Sequence, residues 1–353
     1  MRVMVVGAGP TGLTAAVELA RRGITATVVD RRPGGTGLSR AVGITPASLR
    51  HLEPSGVSAD LLAEGVHLQG IVTHSGSRRL ARLRCDSLGR ADAFLLTLPQ
   101  DRSEAILRAH LERLGGSVTF GREVTGVAQD NGDVRVSFAD GTVQSCDLLL
   151  GADGSRSRVR TSLGLAFEGH DLPEAWSVAD VEVAGWPFPQ EGAVFLNPGG
   201  RISLVMPIAK DRYRVFTDGP GAVQQVPLPF NVTKLREAAD FHIAVRQVSA
   251  YSVGRVHLAG DAAHCHSPVG GRGMNLGIAD ACNFAERVAA GTLAGYSAAR
   301  HADGAKVIAL SERARRLVTA DDLWRRTLVR SAIWAAGHLP PVERAFMRAL
   351  LFA

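Results

Sequence analysis

"VMVVGAGPTGLTAAVELARRGITATVVDRR", Val3–Arg32, decides the fold. An apolar run, Arg2–Val6, meets the turn Gly7–Gly12. A segment of helical period follows over Thr14–Arg22, stopped by Gly23, and a second apolar run covers Thr25–Val29. Strand, turn, helix and strand in that order form a βαβ unit, which builds a parallel sheet. Gly7, Gly9 and Gly12 carry the GxGxxG spacing. Gly7 permits the tight turn, Gly9 lets backbone approach a pyrophosphate, and Gly12 lets the helix pack on the strand. The pyrophosphate would lie at the helix N-terminus, over Pro10 and Thr11, where N–H groups and the helix dipole favour an anion. Asp30 closes the second strand, where a carboxylate can accept from a ribose diol, and Arg31 beside it joins the same candidate site. NAD(P) and FAD share this fingerprint. A glycine-rich turn that binds nothing is the plain alternative.

The 353 residues suffice for one large domain or two intertwined ones. With 46% hydrophobic and 21% charged residues, the balance is that of an ordinary soluble protein. A formal charge of +6 suits an anionic dinucleotide. Nucleic acid is disfavoured, because aromatics are 5% and no basic run is interleaved with them. Cys85, Cys146, Cys265 and Cys282 lack CxxC spacing, which reads as reduced thiols in a cytoplasmic protein. We expect no signal peptide and no membrane span.

Further on, Arg102–Gly116 reads as an amphipathic helix, followed by short strands with a hairpin turn at Asp140-Gly141. Trp176–Asp218 alternates as an antiparallel sheet does, Pro220–Pro229 reads as loop, and Gly254–Asp261 is a short buried strand. Gly273–Ala290 has helical spacing. The Arg-rich stretch from Ala305 onward is helical in period, broken at Pro340-Pro341. Its apolar residues suit helices docked on the cofactor domain, and lying on an anionic membrane is the alternative. The expected fold class is therefore α/β: a Rossmann-like domain interleaved with an antiparallel-sheet domain, with a helical C-terminal tail.

Two further stretches bear chemistry. "GADGSRSRVR" (Gly151–Arg160) follows a strand. Asp153 or Ser155 there can cap a helix, and Arg156, Arg158 and Arg160 can attract an anionic nicotinamide cofactor or face solvent. "GDAAHCHSPVGGRGMNLG" starts at Gly260. His264 and His266 flank Cys265, but no third or fourth ligand cluster stands elsewhere, so no metal is assigned.

These stretches, with "SRAVGITPASLRHL" and "LPQDRSEAILRAHL", resemble the single-component FAD-dependent aromatic hydroxylases of the p-hydroxybenzoate hydroxylase type. The resemblance covers roughly Met1 to Arg300 in the family's order. It implies a bound FAD and a transient NAD(P)H. Arg40 would contact the pyrophosphate or ribose, Gln100 the cofactor hydroxyls, and Val124 the adenine through its backbone. Asp153 would stand near the cofactor and Asp261 on the ribitol chain. Pro268, Gly271, Arg272, Gly273, Met274 and Asn275 would deliver a helix N-terminus to the flavin. For each there is a bland reading: surface arginine for Arg40, helix capping for Gln100, core strand for Val124, turn formation for Asp261. Arg272 stands where glutamine or lysine is commoner, and would either touch the flavin or face solvent.

The resemblance further implies oxygen transfer from O2, through a flavin hydroperoxide, to a small aromatic substrate. The alternative is an NAD(P)H-oxidising flavoprotein without oxygen insertion. A non-enzymatic module and a halogenase are rivals from other classes, the latter disfavoured by the lack of a WxWxIP-like motif. The implied FAD domain is 1–70, 96–170 and 250–300, the substrate domain 71–95 and 171–249, and the tail 301–353. No titratable pair stands out over Trp176–Thr217, and Tyr213 and Arg214 alternate, so at most one faces a pocket. The region after Asp218 is short for the family, which points to a more open pocket. Monomer and homodimer are both expected states.

Overall fold

The computed structural model describes residues 1–35, 41–130, 132–267, 271–319 and 322–352. Its helices are α1 (Pro10–Ala20), α2 (Pro46–Leu52), α3 (Val57–Glu64), α4 (Gln100–Arg113), α5 (Arg158–Ser162), α6 (Gly273–Ala290), α7 (Tyr296–Val318), α8 (Leu323–His338) and α9 (Pro340–Phe352). α1 begins at Pro10, four residues before the predicted start, because Pro10 occupies the first helical position, where its missing N–H costs nothing.

The opening βαβ unit sits inside a six-stranded sheet. Val3–Val6 pairs in parallel with Ala26–Asp30 on one side and Leu148–Gly151 on the other. Val118–Phe120 and Val256–Leu258 extend the sheet in parallel, and Ser252–Val253 closes one edge in antiparallel. Both faces of the central strand are buried, so it reads as an unbroken apolar run. Val124–Gln129, Val134–Phe138 and Val143–Cys146 form a separate antiparallel sheet, turned at Asp140-Gly141.

The second large sheet has eight strands, in the order 264–265, 231–248, 167–184, 212–217, 202–209, 191–196, 70–75 and 78–84. It is antiparallel except where Glu191–Leu196 runs alongside Gly70–Ser75. The longest strands, Phe167–Ala184 and Asn231–Val248, pair along almost their whole length. The sequence pattern beyond the Pro220–Pro229 loop does not mark the latter as a strand.

This sheet buries two different faces. Ala179, Val181, Tyr213 and Val215 look to one side, where Ala222, Val226, Leu228 and Phe230 cover them. The Pro-rich stretch after Asp218 thus serves as a lid of that core. Val178, Leu204, Met206 and Phe216 look to the other side, against Val42, Leu68 and Leu95. The short stretch therefore covers the face opposite these residues.

The tail does not dock on the cofactor-side sheet alone. α7 begins against α6, where Arg300 reaches Asp280. Farther on, Ile308, Val318, Val329 and Ile333 pack on Trp176, Leu196 and Ile243 of the eight-stranded sheet. Met347 and Leu351 of α9 pack with Ala81, Leu83 and Ala336. Among the described residues, no helix is long and apolar enough to cross a membrane.

Candidate functional site

The three glycines of the first turn act as their spacing predicts. Gly7 has φ 106°. A Cβ there would strike the Ala152 carbonyl of the neighbouring strand, and one on Gly12 would strike the Gly7 carbonyl. Gly9 differs: nothing lies within 4 Å of where its Cβ would be. A side chain would there occupy the approach to α1, whose first turn has no side-chain cap. That open cradle, with bare N–H groups below it, fits a pyrophosphate.

Asp30 is nearly buried and held from several sides. Its carboxylate accepts from Ala8 N (2.6 Å), Arg32 N (2.8 Å) and Arg32 Nε (3.0 Å). Burial raises its pKa, but the hydrogen bonds from Arg32 and from the backbone outweigh burial and leave it below the ordinary value. Arg31 points to solvent, whereas Arg32 is half-buried and also reaches Glu104 on α4 (3.4 Å). Gln100 donates to Glu104 (2.8 Å) and accepts from Ala41 N (3.4 Å). Arg32 and Glu104 were missed in the sequence, although the doubled arginine after Asp30 was a signal. Val124 lies in the core at the start of its strand. Arg40 and Pro268 lie outside the described residues.

Asp153 caps α5. It accepts from Ser157 Oγ (2.5 Å), Arg158 N (2.7 Å) and Val159 N (3.2 Å), while Ser157 caps Arg160 N (2.9 Å). Burial raises its pKa. Arg156 and Arg158 are exposed, but Arg160 is not available to a nicotinamide cofactor. It donates to Ala262 O (3.0 Å) and Ser155 O (2.8 Å), and its guanidinium lies 4.0 Å from the centre of the Phe167 ring. Arg160 therefore ties the stretch after Gly151 to the loop after Gly260.

In that loop, Asp261 is exposed at the strand end. Its neighbour Gly260, φ 60°, donates its N–H to Asp280 on α6 (2.9 Å). Asp280 is fully buried and also takes His264 Nε2 (2.6 Å) and Arg300 Nε (2.6 Å). Burial favours the neutral acid, yet His264, Arg300 and the Gly260 N–H hold its pKa below the ordinary value. This explains the histidine that opens the HCH triplet: it is an anchor of Asp280. His266 is neutral, with burial pulling its pKa down to about 4. Asp280 and Arg300 were missed, because nothing in their spacing marks them as a pair.

α6 starts at Gly273 with no acid in its first turn, and among the described residues no side chain caps its leading N–H groups. Asn275 is consumed by the fold: it accepts from Thr45 N (2.8 Å) and donates to Gly43 O (2.9 Å) and Gly271 O (2.8 Å). Met274 is partly buried against the main core, and Gly271 has φ 62°. Arg272 is half-buried at the head of α6. Its guanidinium donates to Ala349 O of α9 (3.0 Å), because α9 crosses close to the α6 N-terminus. α1 and α6 meet at Thr11, whose Oγ1 would be 2.5 Å from a Cβ on Gly260 and closer still to one on Gly277. Thr11 of α1 thus packs against the Gly260 turn and the second turn of α6, while Asp30 holds the Ala8 N–H of the first turn.

A family profile described as FAD binding domain matches residues 1–226 and 220–309. The chain belongs to the FAD-dependent aromatic monooxygenase family. It is 31% identical over 310 residues to pentachlorophenol 4-monooxygenase of Sphingobium chlorophenolicum, covering 81% of this chain and 58% of that protein. It is 31% identical over 335 residues to rifampicin monooxygenase of Streptomyces venezuelae, covering 87% and 69%. The chain spans between about half and seven-tenths of the length of such relatives. In fold it superposes on p-nitrophenol 4-monooxygenase of Pseudomonas putida with a TM-score of 0.88, at 24% identity, covering 98% of this chain and 96% of that one.

The face of the eight-stranded sheet bearing Val178 and Phe216 packs on Val42 and Leu68. It ends in a buried cluster that sequence reading did not find. Asp180 accepts from Arg212 Nη2 (2.5 Å) and Arg214 Nη2 (3.0 Å). Arg214 is 2% exposed, and burial lowers its pKa against the pull of Asp180. Tyr213 points to the opposite core, as strand alternation requires.

Proposed function

We propose that this protein is a flavin monooxygenase that uses NAD(P)H and O2 to hydroxylate a small aromatic or similarly electron-rich compound. The observation that carries this reading is the meeting of α1, α6 and the Gly260 turn at Thr11. Gly7, Gly9 and Gly12 would hold the pyrophosphate, Asp30 the adenosine ribose with Arg32 fixing its rotamer, and Asp261 the ribitol. Gln100 would stand near the cofactor hydroxyls. The N–H groups at Gly273 and Met274 would face the flavin pyrimidine edge, where a helix dipole stabilises added negative charge by about 1 kcal/mol. Bound FAD, reduced by NAD(P)H, supplies the activation of O2 that side chains lack.

The chain's own task is to orient the ring and exclude water. Val178, Leu204, Met206 and Phe216 would offer the apolar surface for it. Residues 1–70, 96–170 and 250–300 would form the cofactor domain, 71–95 and 171–249 the substrate domain, and 301–353 the helical tail. That relatives of this chain are aromatic monooxygenases favours oxygen insertion over simple NAD(P)H oxidation. The test is turnover of an aromatic panel under isotopically heavy O2. Labelled product is expected. Unlabelled product, with every reducing equivalent recovered as peroxide, overturns the reading.

A further inference from the structure

The inward side of α8 packs through Val329, Ile333 and Ala336, leaving its outward side open. At about 100° per residue, that outward side gathers Leu323, Trp324, Leu328 and Trp334, with Thr327 and Ser331 between them. Those four large apolar side chains are 75%, 63%, 60% and 53% exposed. No carboxylate and no ammonium interrupts them. Arg325 borders the face on one side and Arg330 on the other, and α8 carries three arginines and no acid. The Arg325 guanidinium lies 5.1 Å from the Trp324 ring.

A second observation meets the first at Trp334. Between α8 and the edge strand Arg78–Arg84 lies a cavity of about 450 Å³, walled by Arg78, Arg79, Arg82, Trp334 and His338. Trp334 and His338 stack with centroids 4.4 Å apart, forming its aromatic wall. Arg82 is neutralised by Glu191 (2.6 Å). Arg78 and Arg79 form no ion pair among the described residues. An anion-sized, cation-lined hollow thus opens beside an apolar ridge.

We infer that the outer face of α8 docks on an anionic phospholipid surface, with Trp324, Leu328 and Trp334 entering the headgroup–acyl boundary and an anionic headgroup seated against Arg78 and Arg79. Uncharged aromatic and aliphatic side chains flanked by arginines are what such a boundary accepts. A second copy of the chain is the poorer occupant. Two-fold packing sets a face against itself, which brings the α8 arginines together; no acid lies within Leu323–His338, and Asp322 at its N-cap is already paired with Arg325 (3.3 Å). A groove-forming protein partner is likewise disfavoured, since protruding side chains make a ridge. The inference is independent of the proposed chemistry.

The test is co-sedimentation of the full chain with vesicles of phosphatidylcholine alone and of phosphatidylcholine mixed with phosphatidylglycerol. Binding to the anionic vesicles only is expected, weakened by salt, with a blue shift in tryptophan emission. The other two tryptophans, Trp176 and Trp186, are already buried, so the shift reports α8. Arg78→Ser with Arg79→Ser should weaken binding about thirty-fold. Trp324→Ser with Leu328→Ser should weaken it at least about a hundred-fold. Circular dichroism and the melting temperature verify that both double variants fold. Equal binding to both vesicle types, binding to neither, or a dimer that dissociates in Trp324→Ser with Leu328→Ser overturns the inference.

Discussion

Asp280 shows how a residue that touches no cofactor can govern where one would sit. Its carboxylate gathers the Gly260 N–H, His264 and Arg300, all out of water. Removing its charge leaves the Arg300 guanidinium without its buried partner, and such losses cost about 3–5 kcal/mol. Asp280→Asn is therefore expected to lower stability by that amount in urea denaturation and to release flavin more readily on dilution. Arg272 leads to the opposite expectation. Because its guanidinium donates to the Ala349 carbonyl, Arg272→Gln is expected to leave the flavin reduction potential unchanged. It should instead speed hydrogen exchange in α9, with a stability loss of about 1–2 kcal/mol. A lowered potential with unaltered exchange would return the guanidinium to the flavin.

α8 reaches the edge strand only because position 337 has no side chain. A Cβ on Gly337 would stand 2.6 Å from the Ala81 Cβ. Gly337→Val should lift α8 from Arg78–Arg84, cost about 1–3 kcal/mol by overpacking, and expose Ile333 and Ala336 to a hydrophobic dye. Much of the architecture was legible beforehand. The first βαβ unit has a local period and a local turn, and Gly273–Ala290 has the predicted bounds. The strand Asn231–Val248 was not legible. Its first half is largely solvent-exposed and polar, so alternation is hidden in "NVTKLREAAD". It is a strand because Phe167–Ala184 offers it hydrogen bonds from far along the chain. The site divides the same way. Glycines announce themselves through spacing, whereas Arg32–Glu104, Asp180–Arg214 and Asp280–Arg300 become pairs only when elements meet.

Across the whole molecule, acid should unfold the protein in two stages. His257 is buried among Phe284 and Tyr296, and burial pulls its pKa down to about 4. An unfolded imidazole titrates near about 6.5, so between those values the unfolded chain binds the extra proton. Stability is thus intact above about pH 6.5 and falls as pH drops toward about 4, by on the order of 3 kcal/mol for this residue. His266 adds to the same limb. Asp30, whose pKa is depressed, contributes stability that is lost only at lower pH, as protons reach its carboxylate. Melting temperature against pH should show both limbs, and His257→Phe should flatten the first. A final consequence follows from Thr11, wedged between Gly260 and Gly277. α1 cannot settle fully until residues roughly 250 positions later have been synthesised, about 12–50 seconds at ordinary elongation rates. Throughout that interval the apolar side that α1 later buries against α6 stands uncovered, the kind of surface that co-translational chaperones bind.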